Sequence, residues 1–169
     1  MASVAAIYTV ERLVRTAEEI LPLPKERWEK RTRPQPEHKR VWSSLDNSPE
    51  AVITAMFDEV EHRDPKGRKR WVALVDGNRT QIDSLHKLAD ERKLDLIIIV
   101  DFIHVAQYLW KASLALFRDN QTKQDRWVRA HLLETLRGKA SLVAAGIRRS
   151  AMLRAMAAAE RQPVDHCAD

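Results

Sequence analysis

The chain has 169 residues, 44% of them hydrophobic and 31% charged, with a net charge of +5. That is enough chain for one domain with a real core, in ordinary globular proportions. No apolar run approaches the ~20 residues that span a bilayer. The opening lacks a signal peptide's basic region, and a lone cysteine, Cys167, excludes an internal disulfide or a cysteine-built zinc site.

Residues 2–10, with Val4, Ile7, Tyr8 and Val10, read as a strand. Thr16 and Glu19 carry the spacing of a helix capping box, which predicts a short helix near 17–21, ending before Pro22 and Pro24. Residues 22–47 add Pro34 and Pro36 to many charges and read as an extended, poorly packed basic arm. Arg31, Arg33, Lys39 and Arg40 belong to it. Its tryptophans, Trp28 and Trp42, either anchor the arm to the core or stack on a base.

Ser48-Pro49-Glu50 opens a helix: serine as N-cap, proline at the first position, an acid near the positive end of the dipole. Val52, Ile53, Met56, Phe57 and Val60 give it one apolar face. A polar turn from His62 to Arg70 carries a second basic cluster, Lys66, Arg68, Lys69 and Arg70. Trp71 to Val75 is a five-residue apolar run, as expected of a strand covered on both faces. It ends on Asp76-Gly77-Asn78. A helix from about Thr80 to Lys93 separates it from a second buried strand, Leu96 to Val100, which ends on Asp101. Amphipathic helices follow from Val105 and through Trp127 to Gly138, then an alanine-rich helical stretch over 139–160 with further arginines. The tail after Pro163 reads as loose.

The parts predict an α/β fold with a βαβ unit at residues 71–101, followed by an all-helical segment. They divide the chain into a strand and short helix at 1–21, the arm at 22–47, a core segment at 48–117, a helical segment at 118–162 and the tail at 163–169. A right-handed crossover makes the two strands parallel neighbours, so Asp76 and Asp101 end at the same sheet edge, where open α/β sheets bind ligands. Neighbouring strands lie about 4.8 Å apart, so carboxylates ending them can share or flank one hard cation, Mg²⁺ or Mn²⁺ rather than zinc, and such an ion supports phosphodiester chemistry. His104 follows Asp101 by one helical turn and is a candidate to bind phosphate or assist the metal. Structural roles compete throughout. Either aspartate suits a helix cap, a histidine at such a junction is commonly structural, and the basic clusters suit a solvated surface.

Together, Trp71-Val72-Ala73-Leu74-Val75-Asp76-Gly77-Asn78, Val100-Asp101-Phe102-Ile103-His104-Val105 with Tyr108-Leu109-Trp110, and Ala144-Ala145-Gly146-Ile147-Arg148-Arg149 resemble the middle of ISKra-family insertion-sequence transposases. The opening and Lys39-Arg40-Val41-Trp42 are similar to the same proteins. The resemblance implies a partial ribonuclease-H-like core. It also implies three acids (Asp-Asp-Glu), two Mg²⁺ (or Mn²⁺) ions, and cleavage of transposon-end DNA with joining of the freed 3′-hydroxyl to target DNA. On that basis Asp76 matches the second acid, and Asp101 with His104 the family's Asp-x-x-His element. The first acid is expected on a central strand preceding Met1. The last glutamate is expected beyond Asp169, with Glu134 and Glu160 as positional alternatives. The implied protein is a central fragment, inactive alone, of a prokaryotic cytoplasmic, nucleoid-associated enzyme that acts on DNA, with a homo-oligomer as one expectation at full length. Arg31, Arg33, Lys39, Arg40, Arg68, Lys69 and Arg70 would hold phosphates. A non-enzymatic DNA-binding remnant or regulator is the alternative. A small Mg²⁺-dependent phosphatase or receiver-like domain would need a further parallel strand, which the helical pattern after residue 105 does not supply.

Overall fold

The computed structural model describes residues 3–21 and 32–168. Trp28 and Arg31 lie outside them. The described chain is mixed α/β: β1 (Ser3–Thr9), α1 (Ala17–Ile20), β2 (Glu37–Ser44), α2 (Pro49–Arg63), β3 (Trp71–Val75), α3 (Arg79–Arg92), β4 (Leu96–Val100), α4 (Phe102–Phe117), α5 (Gln121–Leu136), α6 (Ala140–Leu153) and α7 (Ala158–Ala168). It forms two compact units, one of residues 1–13 with 31–101, the other of residues 14–30 with 102–169. The expected core segment at 48–117 is therefore cut at Asp101, and α4 belongs with the later helices.

The first unit holds two separate two-stranded sheets. β1 and β2 pair antiparallel, with Ala5 opposite Trp42 and Ala6 opposite Val41. This corrects the reading of the arm as extended and poorly packed over Glu37–Ser44; its residues 22–31 lie outside the described residues. Glu37–Ser44 has little apolar alternation, yet it pairs along β1, as a charged edge strand can. The register shifts between Ile7 and Thr9, and His38 near that point has φ of 50°, a local irregularity of the β-bulge kind. β3 and β4 pair parallel, in register from Trp71 opposite Leu96 to Val75 opposite Val100.

Helix α2 begins as its sequence dictates, with Ser48 Oγ accepting from Ala51 N at 3.2 Å and Pro49 at the first turn. Its buried Ile53 and Phe57 form a small core with Val75, Leu85 and Ala89, against which Trp71, Ile82, Leu96 and Ile98 pack. The Phe57 and Trp71 rings meet edge-on at 6.4 Å. Arg92 on α3 ties back to α2 through Asp58 at 2.7 Å and through Glu61. Helices α2 and α3 thus cover one face of β3–β4. The other face is open: Val72 is 52% and Leu74 63% exposed. The expectation of a strand covered on both faces is corrected, because each of these strands alternates between a packed and a bare side.

The second unit is helical. Thr16 and Glu19 form the expected capping box on α1. Leu109, Ala112 and Leu116 of α4, Val128 and Leu132 of α5, Ile147 and Ala151 of α6, and Val164 and Ala168 of α7 make one enclosed core. The alanine-rich stretch is not one helix. It breaks after Leu153, where Ala155 has φ of 47°. Nor is the region after Pro163 loose: the proline lies within α7, and Val164 and Ala168 are buried.

Candidate carboxylate site at the β3–β4 edge

The parallel register runs one step past the strands. Asp101 N donates to Val75 O at 2.7 Å, which sets Asp101 beside Asp76 on the neighbouring strand end. Both aspartates therefore follow directly on paired strand ends at the C-terminal edge of the sheet. The turn after β3 is built to release the chain there. Asp76 Oδ1 accepts from Asn78 N at 3.0 Å, and Gly77 takes φ of 95°, a left-handed conformation that glycine adopts without penalty. Asn78 is the N-cap of α3, its side chain accepting from Gln81 N at 3.2 Å. The helix is thus capped by Asn78 and not by Asp76, whose exposed carboxylate keeps acceptor capacity beyond its one local bond. Asp101 is half-buried and immediately precedes α4.

Two carboxylates suit Mg²⁺ or Mn²⁺, which take one or two protein oxygens and complete their shell with water and phosphate oxygens. Among the described residues, no three His, Cys, Asp or Glu side chains gather around one point. Asp76 and Asp101 are the carboxylates that directly follow these strand ends.

His104 lies in the first turn of α4, in the second unit. Its ring meets Tyr108 edge-on at 5.8 Å, and Tyr108 in turn contacts the ring of His166 at 5.1 Å. This is the geometry of a packed aromatic cluster. The two positional alternatives for a last glutamate are both engaged. Glu134 accepts from Lys139 and Arg137, each at 2.6 Å. These two cations, Lys139 foremost, hold its carboxyl below the ordinary range. Glu160 pairs with Arg118. A groove of about 380 Å³ between α5 and α6 is lined by His131, Glu134, Lys139, Leu142 and Val143, and no other expected site residue lines it.

The basic residues gather elsewhere. Lys69 Nζ donates to Thr9 Oγ1 at 3.3 Å, and Thr9 pairs with Glu37, two residues before Lys39. Arg63 Nη1 donates to His38 O at 2.6 Å. So Arg68, Lys69 and Arg70 share one end of the unit with Lys39. Arg40, also on β2, pairs with Glu59 and lies over the Trp42 ring at 5.4 Å. Arg33 is exposed just before β2. Because residues 68–70 precede β3 and Asp76 follows it, five residues of strand, about 17 Å, separate the basic turn from the carboxylates.

The sequence reading missed the residue that shapes this basic turn. Asp64 is buried and accepts from Lys69 N at 2.8 Å, Arg68 N at 3.0 Å and Trp71 Nε1 at 3.2 Å. The two backbone donors, Lys69 first, are the main cause holding its carboxyl below the usual range. The Asp64-Pro65 pair and Gly67 signalled a turn; nothing in their spacing showed that the carboxylate faced inward.

Set against known proteins, the chain matches no family model, no curated protein and no solved structure.

Proposed function

We propose that this chain is part of the catalytic core of a Mg²⁺- or Mn²⁺-dependent DNA transposase of ribonuclease-H-like type, inactive by itself. The observation that carries the reading is the parallel pairing that ends at Val75 and Val100 and sets Asp76 beside Asp101. Added support comes from the resemblance in the strings around those two aspartates and from the order strand, helix, strand between them. Asp76, exposed and released by Gly77, and Asp101 would hold the cation. When bound there, the ion supplies positive charge that favours attack by water or a 3′-hydroxyl on a phosphodiester. The chain's own contribution is to fix two oxygen donors on neighbouring rigid strand ends. Arg68, Lys69, Arg70, Lys39 and Arg40 supply a cationic end for backbone phosphates. His104, packed on Tyr108, positions the first turn of α4.

Mn²⁺ binding to the full chain, followed by water-proton relaxation, tests the site. Binding to the unsubstituted chain and a loss of at least tenfold in affinity for Asp76→Asn are expected. Equal affinity of the two proteins rejects Asp76 as a ligand.

A second reading, a DNA-binding regulator without catalysis, is favoured by one specific observation: the basic turn lies at the opposite end of β3 from the carboxylates. DNA binding that weakens steeply with salt, falls on replacing Arg68, Lys69 and Arg70 together by Gln, and is indifferent to Mg²⁺ and to Asp76→Asn would select it.

A further inference from the structure

The β1–β2 ribbon has two unlike faces. Ala5 and Ile7 are buried, and β1 packs on α2. Trp42 stands opposite Ala5 and Arg40 opposite Ile7. Arg40 reaches Glu59 of α2, so these four side chains share the inner face. Side chains alternate along a strand, and directly opposite residues share a face. Val4, Ala6 and Tyr8 therefore point outward, with Ser43 and Val41 beside them. Exposure agrees: Val4 is 71%, Val41 54% and Tyr8 46% exposed.

Tyr8 sits where the ladder slips. Ile7 pairs with Arg40 and Thr9 with Glu37, so Tyr8 alone faces both His38 and Lys39. The alternation that runs from Ser43 through Val41 puts the exposed Lys39 on the outer face beside the ring. Lys69 Nζ reaches Thr9 Oγ1, on the next residue, at 3.3 Å, and exposed Arg68 and Arg70 flank Lys69 in the chain. Four cationic residues thus gather at the end of the ribbon that carries Tyr8. β1 and β2 hold one acid between them, Glu37. The ring is also unclaimed. Tyr108 contacts two histidine rings, whereas Tyr8 has no ring partner among the described residues.

We infer that the outer face of the β1–β2 ribbon binds single-stranded DNA, with Tyr8 stacked on an unpaired base and Lys39 and Lys69 on the flanking phosphates. The occupant follows from two features that must be met together: a cluster of cations and an open aromatic face among apolar residues. A single strand is an anionic chain whose bases offer free flat faces, and such stacking is tolerant of sequence. Within a duplex those faces are covered by neighbouring pairs, so only the phosphates would be used. An acidic peptide would likewise use the cations and leave the ring and Val41 without a flat partner. The inference rests on the proposal that the basic turn holds backbone phosphates. It adds the form of the nucleic acid and a contact residue outside the basic clusters.

Fluorescence anisotropy of the full chain with labelled oligothymidylate, and with a mixed-sequence duplex of equal length at the same salt, tests it. Tyr8→Thr keeps a strand-forming residue and removes the ring; Tyr8→Phe keeps the ring. Tyr8→Thr is expected to lose about 5- to 100-fold in affinity for the single strand, Tyr8→Phe to bind like the unsubstituted chain, and neither to change duplex affinity. Equal losses on single strand and duplex, equal losses in the two variants, or no loss in either overturns the inference. A second measurement needs no variant. Oligothymidylate added to the unsubstituted chain should move the Tyr8 ring-proton resonances upfield, as stacking on a base requires, and unmoved resonances overturn the inference even if Tyr8→Thr fails to fold. Replacing Arg68, Lys69 and Arg70 together by Gln separates the two levels of the argument. Binding that falls in this variant but ignores Tyr8 overturns the stacking site and leaves the phosphate reading standing. Absence of binding to either oligonucleotide overturns both.

Discussion

The two units dispose of their apolar side chains in opposite ways. In the helical unit, Leu109, Ala112, Val128, Ile147, Ala151 and Val164 are each 2% exposed or less. Its buried polar groups are also satisfied: Ser113 Oγ donates to Trp110 O at 2.8 Å, and the Gln124 side-chain amide donates to Arg118 O. In the β-containing unit β3 and β4 are wholly apolar five-residue runs, yet Val72 opposite Ile97 and Leu74 opposite Ile99 form a bare two-by-two patch. A helix can bury its stripe against two or three neighbours from the same stretch of chain. A strand needs edges paired and both faces covered, and those partners come from distant segments. The difference teaches where this chain is self-sufficient and where it depends on something more.

The largest expected effect lies in the closed unit. Ile147→Ala removes a 1%-exposed side chain from the centre of the helical core, and truncations of this kind cost about 2–5 kcal/mol. Urea denaturation followed by far-ultraviolet circular dichroism should show that loss, together with retained exchange protection in β3 and β4. A smaller but site-specific loss follows Gly77→Ala. An added Cβ would meet Val100 Cγ1 at an ordinary 3.6 Å, so space is not the obstacle. The φ of 95° is, and forcing an L-residue towards the left-handed region costs about 1–2 kcal/mol. Because the strain falls beside Asp76, weaker Mn²⁺ binding should accompany the stability change. Unchanged metal affinity would separate Gly77 from the carboxylate edge.

These contrasts bear on how much the residues themselves disclosed. Helix starts were legible where a side chain caps locally, as at Thr16 and Ser48, since the needed partner is three residues away. The parallel neighbours β3 and β4 were legible because a helix-length segment between two apolar runs leaves few alternatives. Val75 and Val100, the residues before Asp76 and Asp101, end that pairing in register. β2 was hidden: Glu37-His38-Lys39-Arg40 looks like a solvated arm, and only the distant β1 makes it a strand. Asp64 was hidden for the same reason, since its burial depends on the turn folding back on it. The break at Ala155 and the continuation of helix through Pro163 are likewise set by packing on α4 and α6, which overrides the local pattern.

On the open face the expectation is near silence. Leu74→Thr keeps a strand-compatible residue at a 63%-exposed position, so its cost in the isolated chain should stay within about 0.5 kcal/mol. A loss comparable to that of Ile147→Ala would mean that the patch is covered in solution, and the contrast between the units would collapse.

A pH-dependent effect gauges how tightly the helical unit closes. Burial on α7 pushes the Cys167 thiol from 9.0 up to about 11. The folded state therefore keeps this proton over a range in which the unfolded state releases it. Below about pH 9 both states are protonated and Cys167 contributes no slope; from about 9 to about 11 the unfolded chain binds fewer protons, and stability falls as pH rises. The difference in stability between the unsubstituted chain and Cys167→Ala, measured across that window, isolates this slope from the lysines and tyrosines that titrate alongside. Alkylation by iodoacetamide at pH 8 gives a second reading. The thiolate is the reacting form, so the native thiol should react one to two orders of magnitude more slowly than in the denatured chain. Equal rates would mean that α7 opens freely, and that the helical unit is less closed than the burial of Val164 and Ala168 beside it requires.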